Sequence, residues 1–331
     1  MDQQVNFMQE WRYKEIMKKL QKIKEKENIK LNYCLSSLPN EIGELKNVKK
    51  LNLEGNHIST LPNTFTNLKN LNTLILNINQ FNTIPDVLHS LPNLQKLECT
   101  WNNINGIPNI PSFLSNLKYL NLDVNNISDF KFADNSFKNL ETLILSNNKI
   151  EKLLYNFGSL TKLKKLNISG NNISELPESF SDLQNLRYLD LSNNKFKKIP
   201  QQIEKLKKLT TLIFDNSNFD ISQDDTYTFP NFPNLSNVSF SNSRLYSTFN
   251  LSNLKNLKKL DISNTDVKTL ILPNFNQLKN KNKKISINIT NTPIKKLEYH
   301  VCEAIKNNRI EIKNMKHNNN EELYNYYCLN R

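Results

Sequence analysis

Glycine is scarce, at 5 of 331 residues, and Gly43, Gly55, Gly106, Gly158 and Gly170 never cluster. The phosphate-cradling loops of nucleotide-binding enzymes therefore have no raw material. Cysteine is equally sparse: Cys34, Cys99, Cys302 and Cys328 form no CxxC pair. That spacing argues against a zinc or redox motif and predicts reduced thiols rather than a disulfide framework. No apolar run approaches the ~20 residues that a membrane-spanning helix needs, and the first thirty residues show no apolar core ending in a small-residue cleavage site. A cytoplasmic chain without a membrane span is the expectation. The four histidines (His57, His89, His300, His317) are scattered, with no HExxH or GxSxG motif, so no catalytic residue, metal site or cofactor is expected. Cys99 stands at a leucine position and is expected in the core.

What the chain has in excess is asparagine and positive charge. Lys and Arg number 44 against 31 Asp and Glu, a formal charge of +13. Written in rows of 23 from Val48, Leu71, Leu94, Leu117, Leu140, Leu163, Leu186 and Leu209, the sequence aligns with itself. The shared pattern is LxxLxLxxNxIxxLPxxFxxLxx. Its ninth position holds Asn56, Asn79, Asn102, Asn125, Asn148, Asn171 and Asn194. The LxLxxN half alternates with the period of a strand that buries one face, whereas IxxLPxxFxxL has the wider spacing of a turn or short helix returning to the start. Each row is one coil, and the amide of the ninth residue can both donate to and accept from backbone groups where the chain turns inward. Asparagines outside this column lie in turns and the tail, with no folding role evident from the pattern.

This pattern resembles the leucine-rich repeat family, specifically the 23-residue type with Leu-Pro in its second half that is common in cytosolic scaffold and some bacterial proteins. The resemblance implies an α/β solenoid: a right-handed horseshoe with a parallel concave sheet and short helical, 3-10 or irregular convex segments. Three parts are expected. Residues 1–27 form an N-terminal helical cap, with Met8, Trp11, Ile16, Leu20 and Ile23 on one stripe. Residues 28–297 form an array of about eleven to twelve coils, regular from 48 to 208 and irregular after 209. Residues 298–331 form a C-terminal cap and a loose tail.

In the irregular rows Ser217, Ser243, Thr265 and Thr292 replace the ladder asparagine, and a looser C-terminal half is expected. The insertion near Asp220, Asp224 and Asp225 lacks the calcium-loop spacing and reads as a solvated loop with Tyr227, Phe229 and Phe232 as aromatic feet.

Function in such a fold is expected at the x positions around LxLxx. Ile75, Ile78, Trp101, Tyr119, Val124, Ile144 and Tyr188 are the candidate partner-binding residues, because exposed apolar clusters with aromatic anchors mark interfaces. The expectation is a monomeric, non-catalytic scaffold, adaptor or recognition module for a protein partner, with a pathogen-type effector acting on a host protein as a variant. A basic binder of anionic membrane or nucleic acid is the rival. Nucleic acid is disfavoured because Glu54, Glu98, Asp123, Asp190, Asp215 and Asp261 interrupt the same columns, and membrane binding by the basic N-terminal helix is disfavoured because an array without a cap would aggregate.

Overall fold

The computed structural model describes residues 2–220, 226–274, 284–313 and 320–329, without the side chains of 2–12, 320 and 321. The chain divides into two compact units, Met1–Leu166 and Asn167–Arg331.

In each regular row only three residues are extended, because the leucine pattern alternates over that short stretch and then widens. In the first unit these strands are β1 (Asn28–Lys30), β2 (Lys50–Asn52), β3 (Thr73–Ile75), β4 (Lys96–Glu98), β5 (Tyr119–Asn121) and β6 (Thr142–Ile144). They pair in chain order, all parallel, with like positions in register: Leu51 faces Leu74, Leu97, Leu120 and Leu143 in turn along the sheet. The central residue of each strand, Ile29 in β1 and leucine in β2 to β6, is buried and its two neighbours face outward. The return path is set by Leu-Pro. Pro39, Pro62 and Pro85 are extended and immediately precede 3-10 helices at Asn40–Glu44, Asn63–Asn67 and Asp86–Ser90. Proline suits that entry, since its φ is fixed and it has no N–H to leave unpaired. Phe65, in the middle of Asn63–Asn67, and Phe157, in the middle of a further 3-10 helix at Tyr155–Ser159 that follows Leu154 instead of proline, fill the interior and are wholly buried, each contributing about 2 to 3 kcal/mol by removal from water.

Helix α1 (Asp2–Ile23) packs on the first 3-10 helix and buries Ile16, Leu20 and Ile23. Met8 and Trp11 of the expected stripe lie outside the described side chains. With Ile16, Leu20 and Ile23 buried inside the protein, this part of the stripe is not available to a membrane.

The second unit begins beside β7 (Lys165–Asn167) with the same coil form, carrying β8 (Tyr188–Asp190) and β9 (Thr211–Ile213). Its main sheet continues through β11 (Asn237–Ser239), β13 (Lys259–Asp261), β15 (Ile285–Asn288) and β16 (Ile310–Lys313), again parallel. On the return side the 3-10 helices give way to a second parallel sheet made of β10 (Thr226–Thr228), β12 (Thr248–Asn250) and β14 (Thr269–Ile271). The insertion expected as a loop thus contributes a strand. Phe229 and Phe232 are wholly buried and Tyr227 is edge-on to Phe229, as expected of aromatic feet. Asp220 is exposed, and Asp224 and Asp225 lie outside the described residues.

The C-terminal segment corrects two expectations. Cys302, on α2 (Tyr299–Lys306), and Cys328, in the turn of π-helix at Asn325–Leu329, are joined by a disulfide with Cα atoms 5.9 Å apart. The two cysteines are 26 residues apart in sequence, so no short spacing motif betrays the pair, and only the fold of the cap brings them together. Nor is the tail loose throughout. Leu323, on α3 (Asn320–Tyr324), and Tyr327 are buried, giving residues 320–329 two apolar anchors besides the covalent one. Cys34 and Cys99 are thiols outside any disulfide. Alkylation of the denatured, unreduced protein should label these two only; four labelled thiols would refute the bond. Losing a cross-link over such a loop costs about 3 to 4 kcal/mol in the chain-entropy account.

Candidate partner-binding face

The ninth-position asparagines sit where each coil leaves its strand, and all but Asn194 are buried. Asn125 is representative: Oδ1 accepts from Ile104 N at 3.0 Å, and Nδ2 donates to Cys99 O at 2.9 Å and Leu122 O at 3.0 Å. Asn79, Asn102 and Asn148 repeat the arrangement, each accepting from the coil before and donating within its own coil and to the one before. Asn56 accepts from Tyr33 N and Leu35 N. In the second unit Asn194 accepts from Ile173 N, and Asn171 donates to Ile168 O. The hydroxyl substitutes manage less. Ser217, Thr265 and Thr292 each donate to the carbonyl three residues earlier, as one donor proton allows.

Two further asparagine columns carry structure, and the pattern alone did not reveal their role. Asn70, Asn93, Asn116 and Asn139, at the end of each row, donate to carbonyls of the preceding coil at 2.8 to 2.9 Å. The second column stands immediately before the ladder and is left-handed in every regular coil. It holds Gly55 (φ 71°), Asn147 (54°), Gly170 (64°), Asn193 (53°), Asn216 (54°), Asn242 (53°), Asn264 (55°) and Asn291 (55°). Glycine and asparagine are the residues that tolerate this region. Three coils break the rule: Ile78, Trp101 and Val124 hold φ of 53°, 54° and 53°. A β-branched or bulky side chain there is strained by about 1 to 2 kcal/mol.

Those three occupy consecutive coils and form the edge of the outward sheet face. Ile78 is 54% and Trp101 63% exposed, both high for apolar side chains, while Val124 is half-buried. Beside them, Ile75 and Ile144 lie in one column with Glu98 and Asn121 between them. Tyr119 stands in the column at the strand starts, next to Lys96. Lys96 Nζ lies 4.7 Å from the Tyr119 ring centroid and pairs with Glu98 Oε1 at 2.7 Å. Its hydrogen bond to the Glu98 carboxylate holds the Lys96 ammonium above its ordinary pKa, so it stays charged. Burial, then the Glu98 charge, raises the Tyr119 phenol. Cys99 is wholly buried beneath this face, and desolvation followed by Glu98 drives its thiol far above the ordinary range, leaving it no nucleophilic character near neutral pH. Among the described residues no group of three or more His, Cys, Asp or Glu is placed to hold a metal. Of the candidates, Ile75, Ile78, Trp101, Tyr119, Val124 and Ile144 fall on one face of the first unit. Tyr188 belongs to the second unit, half-buried beside Asp190.

The family profile described as "Leucine-rich repeat region" matches residues 130–286, and that described as "Leucine rich repeat" matches 46–104. The chain is a leucine-rich repeat protein. Among solved structures it is similar to a leucine-rich repeat protein of Leptospira interrogans, with 26% identity, 85% of this chain and 82% of that chain covered, and a TM-score of 0.57. It is also similar to a chain of the TLR13–ssRNA13 complex, with 28% identity, 89% and 47% covered, and a TM-score of 0.64. A chain of the octameric complex of Latrophilin 3, Unc5D and FLRT2 shares the fold at 24% identity, with 85% and 87% covered and a TM-score of 0.65. No curated protein matches in sequence. Leucine-rich repeats commonly serve protein–protein interaction and are generally non-enzymatic binding modules. No helix among the described residues is long and apolar enough to cross a membrane.

Proposed function

We propose that the chain is a non-catalytic protein-recognition module, a scaffold or adaptor, that holds a protein partner on the outward sheet face of its first unit through Ile75, Ile78, Trp101, Tyr119, Val124 and Ile144. Tyr188 offers a contact on the second unit's face. The observation that carries this reading is that Ile78, Trp101 and Val124 stand at left-handed positions where the other coils use glycine or asparagine. Strain kept at exposed side chains that pack little points to use outside the fold. A nucleic-acid backbone on this face meets Glu54, Glu98 and Asp123, whereas phosphate binding wants one continuous positive sign. An effector acting on a host protein uses the same face and differs only in where the partner lives.

Trp101→Ala tests the reading. Affinity capture from the source cell should lose, with the variant, a protein that wild type retains, at unchanged or higher thermal stability. Identical retention by the two proteins sinks it. Compartment enters through the thiols. Cytoplasmic residence, expected from the sequence, and a closed Cys302–Cys328 bond pull in opposite directions, because cytosolic thiols are kept reduced. Alkylating the protein as it leaves the cell, before air oxidation, decides between them.

A further inference from the structure

Charge on the first unit's sheet face is sorted by position. From β2 to β6 the strand starts carry Lys50 and Lys96. The strand ends and the outward positions that follow carry Glu54, Glu98 and Asp123, with no Lys or Arg among them. This strip of negative charge runs alongside the exposed apolar column of Ile78, Trp101 and Val124, on a chain whose formal charge is +13. The acids are only partly compensated. Glu98 is shared between Lys96 and Asn77. Asp123 Oδ1 accepts from Ser146 Oγ at 2.6 Å and Asn147 Nδ2 at 2.9 Å, both neutral donors. Glu54 makes no ion pair among the described residues.

We propose that the occupant of this face is a cationic amphipathic segment of the protein partner. Its apolar side chains cover Ile78, Trp101 and Val124, and its Lys or Arg side chains face Glu54, Glu98 and Asp123. The inference rests on the reading above that this face binds a partner. Arg suits the junction of Trp101 and Asp123, since a guanidinium can lie on an indole face while donating to a carboxylate. Successive coils repeat at about 4.8 Å and an extended chain advances about 3.3 Å per residue. Glu54 and Glu98 stand two coils apart, so an extended segment running along the stack meets them with basic residues about three positions apart, leaving the intervening residues for the apolar column.

The test is selection of a random twelve-residue peptide display library on the full chain. Binding of the selected peptides is then measured to wild type, to Ile78→Asn/Trp101→Asn, and to Glu54→Gln/Glu98→Gln/Asp123→Asn, whose amides keep the side-chain shapes. The expected peptides are enriched in Lys or Arg interleaved with aromatic or aliphatic residues. Their affinity falls about tenfold or more on the amide variant and weakens with added salt. Peptides that lose binding on the Asn variant but carry no basic enrichment, or ignore the amide variant, overturn the cationic occupant and leave the partner-binding face standing. Peptides indifferent to both variants, or no enrichment at all, overturn the face and the occupant together. Melting of both variants is measured alongside, and the amide variant is expected to match wild type.

Discussion

Replacing Ile78, Trp101 and Val124 together by asparagine is expected to make the protein more stable, by about 2 to 3 kcal/mol, while abolishing its capacity to bind. Each of the three now holds φ near 53°, at about 1 to 2 kcal/mol for a bulky L-residue. Asparagine relieves most of that and, unlike glycine, adds little freedom to the unfolded chain. The packing given up is small for Ile78 and Trp101, which are 54% and 63% exposed, and larger for half-buried Val124, hence a net figure below the summed strain. The substitution copies the molecule's own solution, since Asn147 and Asn193 occupy the same place in other coils. Denaturant unfolding of the full chain checks it. A variant less stable than wild type means that the three side chains pack, and the inference from strain to function fails. The combination of higher stability with lost binding marks residues kept for use rather than for folding.

How much of this was legible in the sequence depends on which residues one asks about. The coil, its strand and the ladder follow from the 23-residue spacing, because each demands a residue type at a fixed place. The Pro39, Pro62 and Pro85 turns follow for the same reason. The exposed apolar edge was legible as composition: Ile78, Trp101 and Val124 occupy a column expected to face solvent. Its meaning was not, because strain is a property of φ. The signal that points to it is that the same column holds Gly55, Asn147, Gly170 and Asn193, a set that left-handed backbone selects. The same oversight left most other asparagines unexplained, although Asn70, Asn93, Asn116 and Asn139 recur at their own constant spacing and tie coil to coil. The second sheet replaced the return helices without notice because its strands centre on Tyr227, Phe249 and Leu270, with no residue type recurring at a constant spacing to mark them. The Cys302–Cys328 bond depends on how α2 and the tail pack, which no spacing rule encodes.

Asn125→Ala is expected to destabilise the first unit by about 3 to 5 kcal/mol. The amide satisfies three backbone groups at once: the Ile104 N–H and the Cys99 and Leu122 carbonyls. Alanine leaves the Ile104 N–H and the Cys99 carbonyl without a side-chain partner in a buried place, at about 1 to 3 kcal/mol per group before any water enters, while the Leu122 carbonyl keeps its bond from Asn148 Nδ2 at 3.0 Å. Asn125→Asp is expected to be no better, since it keeps the acceptor, loses both donations and introduces a charge that desolvation opposes. The comparison that isolates the ladder is Asn70→Ala. That residue is also an inter-coil asparagine, but it is exposed, and its bond to Lys46 O at 2.9 Å can be replaced by water, so its loss should cost no more than about 1 kcal/mol. Equal effects of the two alanines in denaturant titrations mean that coil stacking rather than buried amide bonding holds the array. A large gap means that the coils are fastened where the chain leaves each strand. Because each coil is braced only by its neighbours, the damage should appear in hydrogen exchange as early opening of β4 to β6, with β1 and β2 protected longer.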